Sequence, residues 1–463
     1  LGGTGERRRV VVTGLGIVSA LGTGAGEFWS AACEGRVGTG PVTLFDTADC
    51  LTHHGGEIRD WTPPWPDDSY GHGPLTRSES FALAATRLAL ADGGLADPGP
   101  DAGGRLAGPY EPERVGAAFG IVVGNRPGLE PAMRAAYADT AGAETAYAEP
   151  VGAEPTGAEA GAPSRPGAPP SPLPPALPSQ PYNPSRISAL PAVSFRLHGP
   201  HLLLPTACAA GNEAVAQAAD AIAEGRADAM LAGGSDELSE AMFLMFTSFR
   251  ALSPDVVRPF DAHRAGLLLG EGAGVLLLES EEGARARGAP ALAVVAGHGN
   301  VSDAYHMTAP HPEGRGAVLS MRAALRGAGL GPDGIDLVSA HGTGTPANDR
   351  AESRALAEVF GEGTRSAEPL PVTALKSLLG HAQGAAGAIA AAACVLALRD
   401  GVAPPTANVT APDPNCLTGG LELVRDKPRH LPLRAAMNNA FGFGGNNCCV
   451  VFTRADAGAG EGT

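Results

Sequence analysis

Four stretches of this sequence carry side chains able to make and break bonds, each where an apolar run gives way to glycine or alanine. In "LLLPTACAAGNEAVAQAADAIAEG", Cys208 follows a strand-like run and begins a small-residue helix. A sulfur there lies in the positive field of a helix N-terminus, which favours thiolate over thiol. Its alanine and glycine neighbours leave access for a substrate, although a buried structural cysteine would have the same surroundings. In "IDLVSAHGTGTPANDRAE", His341 stands just past a buried strand on a tight glycine and threonine loop. Alone, it could be a surface or capping histidine. In "VTALKSLLGHAQGAAG", Lys376 follows another strand and His381 opens the next helix. In "NNAFGFGGNN", glycines beside Phe441 and Phe443 let backbone N–H groups approach a ligand, as an oxyanion hole requires, though both rings also suit a core. One nucleophile and two imidazoles, each at the end of a strand, would make a site.

The elements that must hold these residues alternate strand and helix. "RRVVVTGLG", "VGAAFGIVVG", "HLLLPT", "ADAMLAGGS", "GAGVLLLES", "ALAVVAGHG", "IDLVSAHG", "LPVTALKS" and "NCCVVFT" read as strands, which predicts an α/β fold. "RSESFALAATRLALADGGL" reads as a packing helix ending at Gly93-Gly94. The segments after Cys208 and after His381 resemble each other, each opening an Ala-rich helix, one ending at Gly225 and the other near Gly401. A duplicated βα unit would bring the two helix starts face to face across a pseudo-twofold axis. The first strand is expected to turn at Gly14-Leu15-Gly16; a dinucleotide-binding reading fails because Ser19 stands at the third glycine position. Asp261, Arg264 and Glu271 in "VRPFDAHRAGLLLGEG" are expected to form buried ion pairs.

Composition narrows the function classes. At 463 residues the chain exceeds the roughly 250–300 at which one core stops growing, so two fused halves are expected, drawn at 7–290 and 291–455. Residues 137–182, almost wholly Ala, Gly, Pro, Glu and Ser, are expected to be a disordered insertion without chemistry. A formal net charge of -16 argues against nucleic acid and anionic membrane as partners. The seven scattered cysteines suggest neither a disulfide framework nor a metal site. The absence of long apolar runs or a secretory leader leads us to expect a soluble cytoplasmic protein. Lysine occurs only at 376 and 427 in an arginine-biased chain, which marks Lys376.

"TACAAG", "AHGTGTPANDRAE", "LKSLLGHAQGAAG" and "FGFGGNN" resemble, in order and spacing, the signatures of β-ketoacyl-acyl-carrier-protein synthases, close to bacterial synthase II and to the ketosynthase subunit of type II polyketide systems. The resemblance runs from about Arg8 to Phe452, interrupted by the Pro-rich insertion. It implies a thiolase-like fold of five α-β-α-β-α layers, a dimer, and decarboxylative condensation of a Cys208-bound acyl chain with malonyl-acyl carrier protein, without metal or organic cofactor. His341 and His381 would hold the malonyl thioester carbonyl, with Lys376 and Glu352 as a charged pair beside them. The N–H groups of Cys208 and Phe443 would form a second oxyanion hole, Phe443 also acting as gate, and Thr343, Thr345, Phe441 and Gly444 would contact substrate.

The partners implied are acyl- and malonyl-loaded carrier protein, and a second copy or a chain-length-factor subunit. Asn446 stands where the family usually has threonine, and Ala210 and Gly211 where Ser or Thr is common. Of the basic residues that usually dock the carrier, only Arg77 precedes its helix, so docking would use other arginines, such as Arg250 or Arg258, or a partner subunit. A thiolase would need a second catalytic cysteine, and Cys448 and Cys449 lie inside the last strand. A non-catalytic chain-length factor would lack Cys208. An α/β ligand-binding protein would leave the glycine-rich strand ends without purpose.

Overall fold

The structure, a computed structural model, describes residues 7–63, 75–95, 108–124, 183–361 and 368–455. The insertion expected at 137–182 lies outside them. The first half supplies β1 (Val10–Ser19), β2 (Val115–Gly120), β3 (His201–Leu204), β4 (Ala229–Asp236) and β5 (Gly272–Ser280). The second supplies β6 (Ala293–Ser302), β7 (Leu337–Ser339), β8 (Leu370–Thr373), β9 (Leu421–Leu423), β10 (Ala435–Gly442) and β11 (Asn446–Thr453). The helices that matter to the site are α1 (Ala25–Cys33), α2 (Arg77–Asp92), α3 (Arg186–Phe195), α4 (Ala210–Ala223), α5 (Glu240–Ser248), α6 (Arg315–Ala328), α7 (Pro346–Phe360), α8 (Lys376–Leu379) and α9 (Gln383–Asp400).

The strands form one mixed sheet in the order β9-β8-β7-β10-β11-β6-β1-β5-β4-β2-β3, with the short strand Gly22–Thr23 beside β1. Each half repeats one pattern. In the first, β2 runs parallel to β3 and β4, β4 antiparallel to β5, and β5 antiparallel to β1. In the second, β7 runs parallel to β8 and β10, β10 antiparallel to β11, and β11 antiparallel to β6. The halves join where β1 pairs with β6, Val11 opposite Val294.

Three apolar cores separate the layers. The central one holds α4 and α9 with residues of both halves of the sheet. One outer core packs α2 and α3 on the first half, and the other packs α6 and α7 on the second. The result is the five-layer thiolase-like arrangement. Helix α9 is buried all round from Gln383 to Leu398, as expected of a helix without a polar face. Its alanines and glycines allow α4 to approach so closely that a Cβ on Gly211 would lie 2.6 Å from the Ala388 nitrogen.

The turn expected at Gly14-Leu15-Gly16 is absent. β1 runs on to Ser19 with a bulge between Val12 and Gly14. The two glycines serve packing instead, since a Cβ at Gly14 would meet the Ala89 carbonyl of α2 at 2.2 Å and one at Gly16 the Ala85 carbonyl at 1.8 Å. β9 and β10 escape the sequence pattern; β10 reads "AAMNNAFG", whose asparagines are buried in hydrogen bonds rather than exposed in a loop. No described helix is long and apolar enough to cross a membrane.

Candidate active site

Cys208 lies in a short 3-10 turn, Ala207–Ala209, that feeds directly into α4. Ala207 adopts φ 53, a left-handed conformation rare for a residue with a side chain, so the backbone bends sharply just before the sulfur. Gly442, at the end of β10, comes so near that a Cβ there would lie 3.0 Å from the Cys208 nitrogen. The N–H groups of Cys208 and Phe443 both favour charge on the sulfur. Burial nevertheless pushes the thiol up to about 11, with the Lys376 charge opposing and the Asp236 charge adding to the rise. The thiolate expected from the helix field is therefore corrected to a resting thiol, because desolvation outweighs the helix N-terminus here.

His381 lies between α8 and α9, its N–H donating to the Leu268 carbonyl at 2.7 Å and its carbonyl accepting from Gly270 at 2.9 Å. The backbone N–H of Gln383 donates to its Nδ1 at 3.1 Å. An occupied Nδ1 lone pair puts the ring proton on Nε2, and that buried Nε2 has no partner among the described residues. His341 follows β7, with the Lys376 Nζ 3.4 Å from its Nδ1, so its Nε2 also carries the proton. The two rings stand 5.5 Å apart, near perpendicular. Burial, with the Lys376 charge next in importance, holds both well below the usual histidine value. Both are neutral donors at physiological pH.

Lys376 and Glu352 do not form a direct ion pair. Instead they grip one piece of backbone from opposite sides: Nζ donates to the His341 carbonyl at 2.7 Å, while Glu352 accepts the N–H groups of His341 and Gly342, each at 2.8 Å. Burial lowers Lys376 to about 8, resisted first by Glu352, and raises Glu352. The side chains of Asn348 and Asn439 donate to Glu352 at 3.4 and 3.3 Å. Buried Asp349, raised by desolvation to about 6, accepts the N–H groups of Phe260 and Gly344 and so fixes the other end of the loop.

Cys208, His341 and His381 open on one cavity of about 240 Å³, with Thr343, Thr345, Phe441 and Phe443 also on its walls. Phe443 stacks on Phe246 at 5.6 Å and meets Phe249 edge-on at 6.2 Å. The hydroxyls of Thr343 and Thr345 share a hydrogen bond of 2.9 Å. Lys376 and Glu352 lie behind this wall. Gly444 is off it as well, shaping the turn with φ 78 while its N–H donates to the Met307 carbonyl at 2.7 Å.

Glu271 pairs with Arg77 at 2.6 Å and Arg264 with Asp413 at 2.7 Å. Asp261 forms no such pair among the described residues, its carboxylate accepting the backbone N–H groups of His263, Thr410 and Ala411. Arg77 is thus committed to Glu271, and Arg258 to Asp255 at 2.7 Å, while Arg250 is exposed without a side-chain partner among the described residues. Sequence reasoning missed Asp236 and Asp349. Asp236 ends β4 and Asp349 lies in the first turn of α7, each near other acids in the sequence, and only the convergence of backbone N–H groups upon them distinguishes them. No cluster of three or more His, Cys, Asp or Glu able to hold a metal occurs among the described residues.

Residues 7–284 match the model of the beta-ketoacyl synthase N-terminal domain and residues 292–410 that of its C-terminal domain. The chain is 36% identical over 456 residues to a 3-oxoacyl-(acyl-carrier-protein) synthase 2 of Coxiella burnetii, covering 97% of this chain and 99% of that protein. Among solved structures it is similar to the ishigamide ketosynthase/chain length factor, with TM-score 0.79 and 35% identity over 97% of this chain and 99% of that one. It is also similar to a type II polyketide ketosynthase solved in complex with its acyl carrier protein, with TM-score 0.78 and 28% identity over 97% of this chain and 100% of that one.

Proposed function

Because the chain belongs to the beta-ketoacyl synthase family, we propose that it joins a Cys208-bound acyl chain to a malonyl unit with His341 and His381 as the paired donors. It is a 3-oxoacyl-acyl-carrier-protein synthase, an acyltransferase of fatty acid or polyketide biosynthesis. The observation that carries the assignment of roles is the occupancy of both Nδ1 atoms, which leaves two neutral Nε2–H donors beside one cysteine.

The sulfur of Cys208, once deprotonated, attacks the acyl thioester carbonyl of the loaded carrier. The N–H groups of Cys208 and Phe443 receive the oxyanion, and the carrier thiol leaves with a proton. Malonyl carrier then binds, its carbon–carboxylate bond breaks, and the electron pair passes into the thioester as an enolate. Nε2–H groups of His341 and His381 stabilise that oxygen, a type of donor worth ~10²–10³ in rate when preorganised. The α-carbon bonds to the acyl carbonyl, the carbon–sulfur bond breaks, and Cys208 takes up a proton again.

In this reading Lys376 and Glu352 act by holding the His341 backbone. Thr343, Thr345 and Phe441 line the path of the carrier's arm, Gly444 shapes the turn, and Phe443 moves as gate. The half at 7–290 brings the nucleophile and the half at 291–455 the donors. The partners are acyl- and malonyl-loaded carrier protein, docked in part through Arg250, and a second copy of the chain or a chain-length-factor subunit. Seven free cysteines are in keeping with a reducing cytoplasm.

Intact-protein mass spectrometry after mixing with an acyl carrier thioester, then malonyl carrier, tests the reading. Wild type should gain acyl mass and discharge it as a β-keto product, and Cys208→Ala should gain none. Acyl mass on the Cys208→Ala protein would sink the assignment.

A further inference from the structure

Asp236 ends β4 in the first half and is wholly buried. No cation pairs with it among the described residues. Its carboxylate instead collects backbone N–H groups: Oδ2 from Val122 at 2.8 Å and Gly384 at 2.7 Å, Oδ1 from Val123 at 2.8 Å and Gly124 at 3.0 Å. Three of these belong to the segment after β2. The fourth is the second residue of α9, in the other half of the molecule.

That fourth contact reaches the site. Gln383, just before Gly384, has φ 51, an unfavourable left-handed conformation for a residue with a side chain. Turned this way, its N–H points at His381 Nδ1. Position 384 has no room for a side chain, since a Cβ there would lie 2.7 Å from Asp236 Oδ2 and 2.6 Å from the Ile121 Cα. The carboxylate thus reaches the N–H of Gly384 directly after the strained residue. Burial raises Asp236 to about 6, so it remains an anion at neutral pH and accepts from all these donors.

We propose that Asp236 is a positioning residue for the decarboxylation step: by holding the Gly384 N–H it keeps the Gln383 peptide turned toward His381 and the imidazole proton on Nε2. The proposal rests on the reading of His381 as an oxyanion donor. It assigns Asp236 no contact with substrate. Its consequence is a split between half-reactions, because acyl transfer to Cys208 uses the N–H groups of Cys208 and Phe443 and not His381.

The test uses the full chain as wild type, Asp236→Asn and Asp236→Glu, with three readouts: acyl mass gained from an acyl carrier thioester, CO2 released from malonyl carrier, and the His381 tautomer by ¹⁵N NMR of histidine-labelled protein, assigned with His381→Gln. Asp236→Asn turns an amide against converging N–H donors. It should slow CO2 release by about 10- to 100-fold, leave acylation within about threefold, and shift His381 away from the Nε2–H form, while Asp236→Glu recovers part of the loss. Equal losses in both half-reactions, or an unchanged His381 tautomer in Asp236→Asn, would overturn the proposal. If Asp236→Asn does not fold, Asp236→Glu carries the same comparison, since a loss confined to CO2 release with a shifted His381 tautomer upholds the idea and equal losses or an Nδ1–H His381 in wild type overturn it. A wild type with the Nε2–H tautomer that neither acylates nor releases CO2 would overturn the reading of the site while the positioning of His381 still stood.

Discussion

The Cys208 thiol, at about 11, and the Lys376 ammonium, at about 8, titrate in an order that ties one to the other. Below about pH 8 the lysine charge helps the sulfur ionise, and above it that help is lost. Lys376→Met should therefore move Cys208 further upward and slow its alkylation by iodoacetamide at pH 7.5, by about tenfold for each pKa unit moved; an unchanged or faster rate would contradict the coupling. The histidines make the opposite prediction. Already neutral, they should give malonyl decarboxylation a flat profile between about pH 6.5 and 7.5. His381→Ala should lower it by ~10²–10³ while leaving Cys208 acylation nearly intact, and a parallel loss of acylation would count against separate roles. Stability follows the same sign: the unfolded chain takes up protons on both rings below about 6.5 while the fold resists, so stability falls as pH drops through that window. At this scale the glycine-rich strand ends singled out Cys208, His341 and His381 in the sequence, and the fold brings the three to one cavity. It could not disclose that the thiol rests protonated, because desolvation depends on what packs around it from remote segments.

Elements were legible where period and turn chemistry agreed. The strand strings around β2, β4, β5 and β6 and the two Ala-rich helices α4 and α9 all form. Failures came where a residue type had a packing role that imitates a local signal. Gly14 and Gly16 looked like a turn and proved to be contact points for α2. β10 was not among the strands read from the sequence, its alternation broken by Asn438 and Asn439; both are buried, Asn438 bonded to the Asn212 side chain at 2.7 Å and Asn439 to Glu352. The crossing of α4 and α9 is the joint that sets one helix start against the other, and it tolerates no added volume. Gly211→Val, pushing into the Ala388 and Gly384 backbone, should cost ~3 kcal/mol or more by chemical denaturation. A loss under about 0.5 kcal/mol, the range of ordinary surface substitutions, would show that the helices can part.

For the whole molecule, size alone would predict separate unfolding of two units. The structure argues for one. The sheet continues from β9 to β3 through the β1–β6 pair, and the central core draws from both halves. The indole of Trp29, in α1 of the first half, donates to Asp400 at the end of α9 in the second, at 2.7 Å. Tryptophan fluorescence and far-UV circular dichroism should report coincident denaturant transitions, and two separated midpoints would refute a single cooperative unit. The duplicated strand order was foreshadowed by the likeness of the segments after Cys208 and His381, but the pairing that fuses the halves was not, since neither β1 nor β6 carries any mark of its partner.

The near-contact of α4 with α9 also bears on how such a protein can change over generations. With backbone atoms facing each other across the crossing, a larger side chain on one helix has no free space to enter, and no smaller residue on the opposite helix can provide it. Random mutagenesis under selection for activity should therefore return glycine at 211 whatever residue stands at 388, although the two positions are 177 apart in the chain.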